Sequence, residues 1–441
     1  MGQEQCSPFG ASAQVPHGGT SQACSAQAQV GWPLHSGGIG SQRNLGPSSV
    51  SSTTHIWLFG QSSQPDTTLH DAIGTQPLVQ QLPFSVTPNQ ITIAALLLSF
   101  LAAGCIALQG IAGPVLAYWL TRRGFDVTVV ERAPALRKTG GHAVDLFGPA
   151  VDISERMGVL PAVMNHSTGA NRLVLQRRGA RRGVAVDYHT IFTAMSNRHV
   201  EIMRDDLSEI YYDAGRKDVD YRFGDHIATL TEDGDVTFAG GGTDRYDLMI
   251  GADGLHSGVR NLLFGDEAAL TDFLGAYLAV ISVPKSFAHQ GDSDLYVDVD
   301  RVAGVYTADH LEDARALFMF RADPLDYHHR DTARQRALLQ ERFTGLADPV
   351  EHWLAELDRT PSFYFDAITQ LQLSTWSRGR VCLVGDAGYC PGPAVGGSTS
   401  LAVLGAYVLA GELGRADGDH TVAYPAYQRV MTGPVDSSRG L

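Results

Sequence analysis

Residues 379–402 read GRVCLVGDAGYCPGPAVGGSTSLA, and the fold turns on how this stretch is understood. An apolar strand ends by delivering one carboxylate, Asp386. A loop rich in Pro and Gly follows, with Pro393, Gly396 and Gly397 leaving room for backbone to approach a flat ligand. A long apolar helix, expected from Ser398 to about Leu413, starts at that loop. The free N–H groups at its start favour negative charge. Strand, carboxylate, open loop and helix start together have no simple structural explanation, so an anionic ligand is expected here.

Two stretches further upstream share this design. Residues 247–260, DLMIGADGLHSGVR, read as a buried strand feeding a glycine turn, with Asp253 in the turn and Ser257 and Arg260 entering a helix. The same residues also read as a plain β-turn capped by Asp253. Residues 108–113, LQGIAG, fit G-x-G-x-x-G except for Leu108 at the first position. Here Gly110 lets backbone approach a pyrophosphate, and Gly113 lets helix and strand pack closely. A buried strand over Ala103–Leu108, a helix over Ile111–Arg123 and a second strand, FDVTVVE, make a β-α-β unit. Glu131 ends the second strand, at the distance expected of an acid that binds a ribose. Taken alone, a turn of this kind equally suits an unrelated α/β protein.

The three stretches together resemble the class A FAD-dependent monooxygenases, the para-hydroxybenzoate hydroxylase family, and within it the branch of the tetracycline-inactivating enzymes. The resemblance spans about Leu108 to Gly440. It implies an α/β fold, with a Rossmann-like FAD-binding domain and an inserted antiparallel-sheet substrate domain. It also implies that Gly110, Gly113 and Glu131 hold the ADP half of FAD, that Asp386 contacts the ribityl chain, and that Pro393, Gly396 and Gly397 line the flavin ring. The turn at Asp253 serves FAD and pyridine nucleotide in that family. GGHAVDLFGPA resembles the family loop that would place Asp145 near FAD, and EIMRDDLSEIYYDAG the helix whose arginine, here Arg204, reaches the flavin. By the same resemblance, NAD(P)H reduces FAD, O2 adds to the reduced ring, and the flavin hydroperoxide hydroxylates a small aromatic or polyketide-like substrate. No side-chain acid or base is assigned to the chemistry, and His256, His328 and His329 are expected to be solvated surface residues.

Departures from the family pattern are Leu108, Ser398 in place of a loop glycine, Tyr389 where other branches carry His, and a chain that stops at Leu441. Leu108 and the early stop leave an alternative open: an inactive remnant of the flavin fold that binds a ligand or partner without turnover. A flavin halogenase would need paired tryptophans, and a disulfide reductase a C-x-x-C motif; neither is present.

Composition bounds the rest. A formal net charge of -14 argues against nucleic acid, which needs a basic face. Five cysteines show no metal-ligand spacing and read as reduced thiols in the cytoplasm. Residues 1–90, rich in Ser, Gln, Gly and Pro, are expected to be a disordered extension. The uncharged run Ile91–Leu120 is long enough for a membrane helix, but the β-α-β reading consumes it. The expected division is FAD-binding domain over 91–170, 201–268 and 366–441, and substrate domain over 171–200 and 269–365.

Overall fold

The computed structural model describes residues 110–136, 141–328, 331–360, 362–392 and 397–440, apart from the side chains of 193–195. The expected extension over 1–90, the strand Ala103–Leu108, Pro393, Gly396 and His329 lie outside these residues. Along the chain the strands are β1 (Thr128–Glu131), β2 (Ala143–Phe147), β3 (Arg172–Arg177), β4 (Val184–Asp187), β5 (His199–Met203), β6 (Asp220–Phe223), β7 (Ile227–Leu230), β8 (Asp235–Phe238), β9 (Thr243–Arg245) and β10 (Met249–Gly251). They continue with β11 (Thr271–Pro284), β12 (Asp292–Asp298), β13 (Arg301–Tyr306), β14 (Asp313–Arg321), β15 (Phe363–Leu371), β16 (Ser377–Arg378) and β17 (Val381–Leu383).

The parallel pairs β1–β6 and β10–β17 carry the ligand-loop motifs at their ends. The helix Ala112–Thr121 packs against the helix Ser398–Arg415, which packs in turn against His420–Arg439. Ser398–Arg415 is apolar on most sides because it is covered on most sides: Leu401, Ala402, Val403, Ala406, Leu409, Ala410 and Leu413 are all buried. Among the described residues, no helix is long and apolar enough to cross a membrane.

The second unit is a seven-stranded sheet in the order β15-β11-β14-β13-β12-β3-β4. It was expected to be antiparallel, and it is mixed, because β12 pairs with β3 in parallel. Antiparallel neighbours are natural products of hairpins, whereas β3 and β12 come from distant segments joined through the ligand-binding unit. The sheet also runs on to Leu371, past the boundary expected at 365. Its strands alternate only weakly in sequence because both faces are covered. Tyr277, Ala279, Ile281 and Val283 of β11 pack with Leu338, Leu339 and Phe343 of the helix Thr332–Phe343 and with Trp353. The intervening Leu278 and Val280 pack on the opposite face with Leu173, Tyr188 and Ile191.

The departure at Tyr389 has a packing explanation. Its ring is buried against Trp376, which also packs on Tyr427, and its hydroxyl accepts from the Tyr427 hydroxyl at 3.1 Å. That hydroxyl occupies the space left by the missing side chain of Gly405, where a Cβ would fall 1.8 Å from the Tyr389 oxygen. Overpacking of this kind costs about 1–3 kcal/mol. Gly405→Ala should therefore lower the urea unfolding midpoint by a corresponding amount, and Tyr389→Phe combined with it should recover part of the loss.

Candidate functional site

Three loops meet where the glycine motifs put them. A Cβ on Gly110 would lie 3.1 Å from the Ala252 carbonyl oxygen, so the first turn packs directly on the turn after β10. Gly385, with φ +66°, sits between the first helix and the long one: its Cβ would lie 3.2 Å from Ala112 Cβ and 3.5 Å from Ala402 Cβ. A side chain there would be both strained and crowded. Gly113 is less constrained, with Ala252 Cβ 3.9 Å from where its own Cβ would stand. Gly397, at φ +81°, opens the helix Ser398–Arg415, and among the described residues no side chain caps that helix.

A fourth segment closes on the helix start. The Ser400 hydroxyl lies 3.2 Å from the Asp145 carbonyl oxygen and accepts the Phe147 amide at 3.0 Å, which holds β2 beside the helix. Asp145 meets this helix through its backbone; its carboxylate turns to His199 and is fully buried. Arg204 is also buried, and its charge acts on Asp386. Burial pushes the Asp386 carboxyl up to about 6, against the opposing pull of Arg204 and a hydrogen bond from Cys390. Glu131 ends β1 and accepts the Ala133 amide at 2.8 Å, which shapes its own loop. Asp253 is exposed and accepts from the Ser257 hydroxyl and, at 3.1 Å, from the Val259 amide, so its carboxylate builds the turn.

The arrangement suits a dinucleotide with a flat, anionic head. Backbone approaches closely where side chains would block it, an uncapped helix end supplies positive potential, and Arg204 adds a buried cation beside the Asp386 carboxyl.

A clamp that the sequence did not reveal locks these loops to the sheet. Arg260 is buried and donates to the Ala387 carbonyl at 3.1 Å and to Glu267 at 2.8 Å. Glu267 also pairs with His256 Nδ1 at 2.7 Å, and His256 Nε2 pairs with Asp366 of β15 at 2.9 Å. His256 is exposed at the surface, as expected, and it also bridges two carboxylates. Neither acid is near it in sequence, so no local pattern announces the contact. The loop after β17 also meets the sheet directly, with Leu371 N donating to Cys390 O at 2.9 Å and Gln370 to Pro391 O at 3.0 Å. Cys382 and Cys390 are buried and not disulfide-bonded.

Residues 105–418 match the family described as FAD binding domain. A flavin-dependent monooxygenase of Legionella longbeachae is 34% identical over 343 residues, covering 75% of this chain and 85% of the relative. An uncharacterized protein of Mycobacterium tuberculosis is 41% identical over 344 residues, covering 75% and 90% respectively. The crystal structure of tetracycline destructase Tet(55) matches with a TM-score of 0.68 at 35% identity, over 75% of this chain and 85% of that one.

The His256 clamp has a pH signature. Burial alone would lower the imidazole, but hydrogen bonds to Asp366 and Glu267 carry it from 6.5 up to about 10. The folded chain thus keeps a proton that the unfolded chain releases, so the stabilisation is complete below about pH 6.5 and fades as pH rises through about 10. Thermal melting followed by circular dichroism should show this decline, and His256→Gln should flatten it. An equally steep decline in the variant would place the titration elsewhere.

Proposed function

The chain belongs to the FAD-binding-domain family that includes flavin-dependent monooxygenases, and from that membership we propose that it hydroxylates a small aromatic or polyketide-like molecule with NAD(P)H and O2. The observation that carries the reading is the meeting of the Gly110, Ala252 and Gly385 loops beside the uncapped start of the helix Ser398–Arg415. In balance, substrate, O2, NAD(P)H and a proton give hydroxylated substrate, water and NAD(P)+. Bound FAD would supply the electron transfer and the activation of oxygen, chemistry that side chains lack.

The protein's part is to bind, orient and exclude water. Gly110, Gly113 and Glu131 would hold the ADP half, Asp386 the ribityl chain, and Gly397, with Pro393 and Gly396, the ring. Arg204 and the helix start would balance negative charge on the ring's polar edge. Asp145 would serve through its backbone by fixing the helix start, and Asp253 by fixing the turn that abuts Gly110. The sheet face bearing Leu278, Val280, Leu317 and Met319 would wall the substrate pocket and keep water from the reacting oxygen. Likeness to a tetracycline destructase supports a polycyclic, oxygen-rich substrate.

Purified chain should show the visible absorption of oxidised flavin and oxidise NADPH or NADH only when oxygen is present. Asp386→Ala and Arg204→Ala should each weaken FAD binding by about tenfold or more, the loss expected for a charged hydrogen-bond partner. A colourless wild-type protein that takes up no added FAD would overturn the reading.

A further inference from the structure

One face of the β2–β5 ribbon carries acid side chains that none of the roles above uses. Asp145 of β2 stands directly across from Glu201 of β5, and Phe147 across from His199. Strand alternation turns all four to the same face, where directly opposed side chains start roughly 5 Å apart. Asp145 is fully buried, Glu201 is 8% exposed and the His199 side chain 15%. His199 Nε2 is hydrogen-bonded to Asp145 Oδ1, and the Thr168 hydroxyl donates to Glu201 Oε2. Asp145 Oδ2 has no partner among the described residues. The Phe192 ring, stacked with its centre 3.8 Å from that of His199, covers one side of the imidazole.

Two carboxylates set so close together out of water cannot both ionise. Burial pushes the Asp145 carboxyl well above its usual range, and burial with Asp145 alongside pushes Glu201 up to about 8. Burial also pushes His199 down to about 4. Near neutral pH the cluster therefore carries no net charge, whichever of its atoms hold the protons. The charged groups packed nearby have other partners. Arg198, next to His199, pairs with Asp152 and Glu155, Arg315 with Asp313, and Asp294 with His289, while Arg204 acts on His142 and Asp386. Tyr188 of the helix Tyr188–Met195 and Tyr306 of β13 also face the acids, and burial keeps both phenols neutral.

The same ribbon holds the start of the helix Ser398–Arg415, because Asp145 O and Phe147 N both meet Ser400. Its other end is anchored to the sheet, with Ala143 N donating to the Tyr306 hydroxyl at 2.8 Å and Arg315 Nε to Gly141 O at 3.1 Å. Taking one proton from the cluster leaves an uncompensated charge out of water, which is unfavourable until the ribbon shifts and admits solvent. With one end anchored, that shift falls on the Ser400 contacts.

We propose that Asp145, Glu201 and His199 are positioning residues for the flavin: as a proton-sharing cluster they hold the helix start in its FAD-binding form, and withdrawing a proton from the cluster releases FAD. The inference deepens the flavin reading and rests on it, since it takes FAD to sit at that helix start. The proton passes to bulk base, and no bond other than its O–H or N–H bond breaks.

The test measures FAD affinity of the full chain by flavin fluorescence at about pH 7 and about pH 9. With a group that titrates near 8, wild-type affinity should fall about tenfold over that interval. Glu201→Gln, which has the shape of the protonated acid, should abolish most of the fall. Thr168→Val, which withdraws the hydroxyl that favours the charged carboxylate, should move the fall to higher pH. His256→Gln should leave it in place, because that imidazole keeps its proton up to about 10. Infrared titration of the flavin-free chain should show a protonated carboxyl band lost over the same interval in wild type and not in Glu201→Gln; Asp386, pushed up only to about 6, titrates lower. Equal FAD affinity at both pH values in wild type, or an undiminished fall in Glu201→Gln, would overturn the role of the cluster. A wild-type chain that takes up no FAD at about pH 7 would overturn the flavin reading itself, and the infrared titration, which needs no flavin, tells the two failures apart.

Discussion

A guanidinium excluded from water has to be neutralised inside the protein, and Arg260 is fully buried. Its partners are carbonyls of Leu255 and Ala387 and the carboxylate of Glu267. Those groups belong to the turn after β10, the loop after β17 and the approach to β11, so none of the three can move without stranding a buried charge. Glu267 then passes the constraint to His256 and so to Asp366 in the sheet. The ligand loops and the sheet beside them are therefore one electrostatic assembly, although they come from remote parts of the chain.

Within that frame the site is made of things left out. Side chains are missing at Gly110, Gly385 and Gly397, and a cap is missing from the helix Ser398–Arg415. What fills the surroundings is rigid by comparison. β2 is tied to the helix start through Ser400, and Gly141–Ala143 is tied to the sheet through Arg315 and Tyr306. A chain with net charge -14 gathers positive potential here through Arg204, Arg315 and a helix end rather than through its overall composition.

The parts legible in the sequence are those where a local rule has only one solution. Strand, glycine and carboxylate at 381–386 could be read because close backbone approach demands glycine, and the strands over 271–321 could be read because apolar runs between turns have few other uses. Their sheet was harder: both faces are buried, so the alternation that reveals a half-exposed strand is nearly absent from β11 and β14. The parallel pairing of β3 with β12 leaves no local trace at all, since it joins segments separated by the ligand-binding unit. The roles of His256, His199 and Glu201 were invisible for a similar reason. Each derives its character from partners contributed by another element. At Asp253 the turn-capping reading was legible as well, and its carboxylate is engaged by Ser257 and Val259 of its own turn.

The packing of the helix Ala112–Thr121 against Ser398–Arg415 also fixes an order of events during synthesis. The first of these helices leaves the ribosome early, with Val115, Leu116 and Leu120 wanting cover. The helix Arg204–Gly215 covers part of that surface, but the helix Ser398–Arg415 is translated almost three hundred residues later, and β3 likewise waits for β12. Contacts of such long range close slowly. The nascent chain therefore carries partly covered apolar surface until its last helices are made, the kind of surface on which aggregation and chaperone binding act.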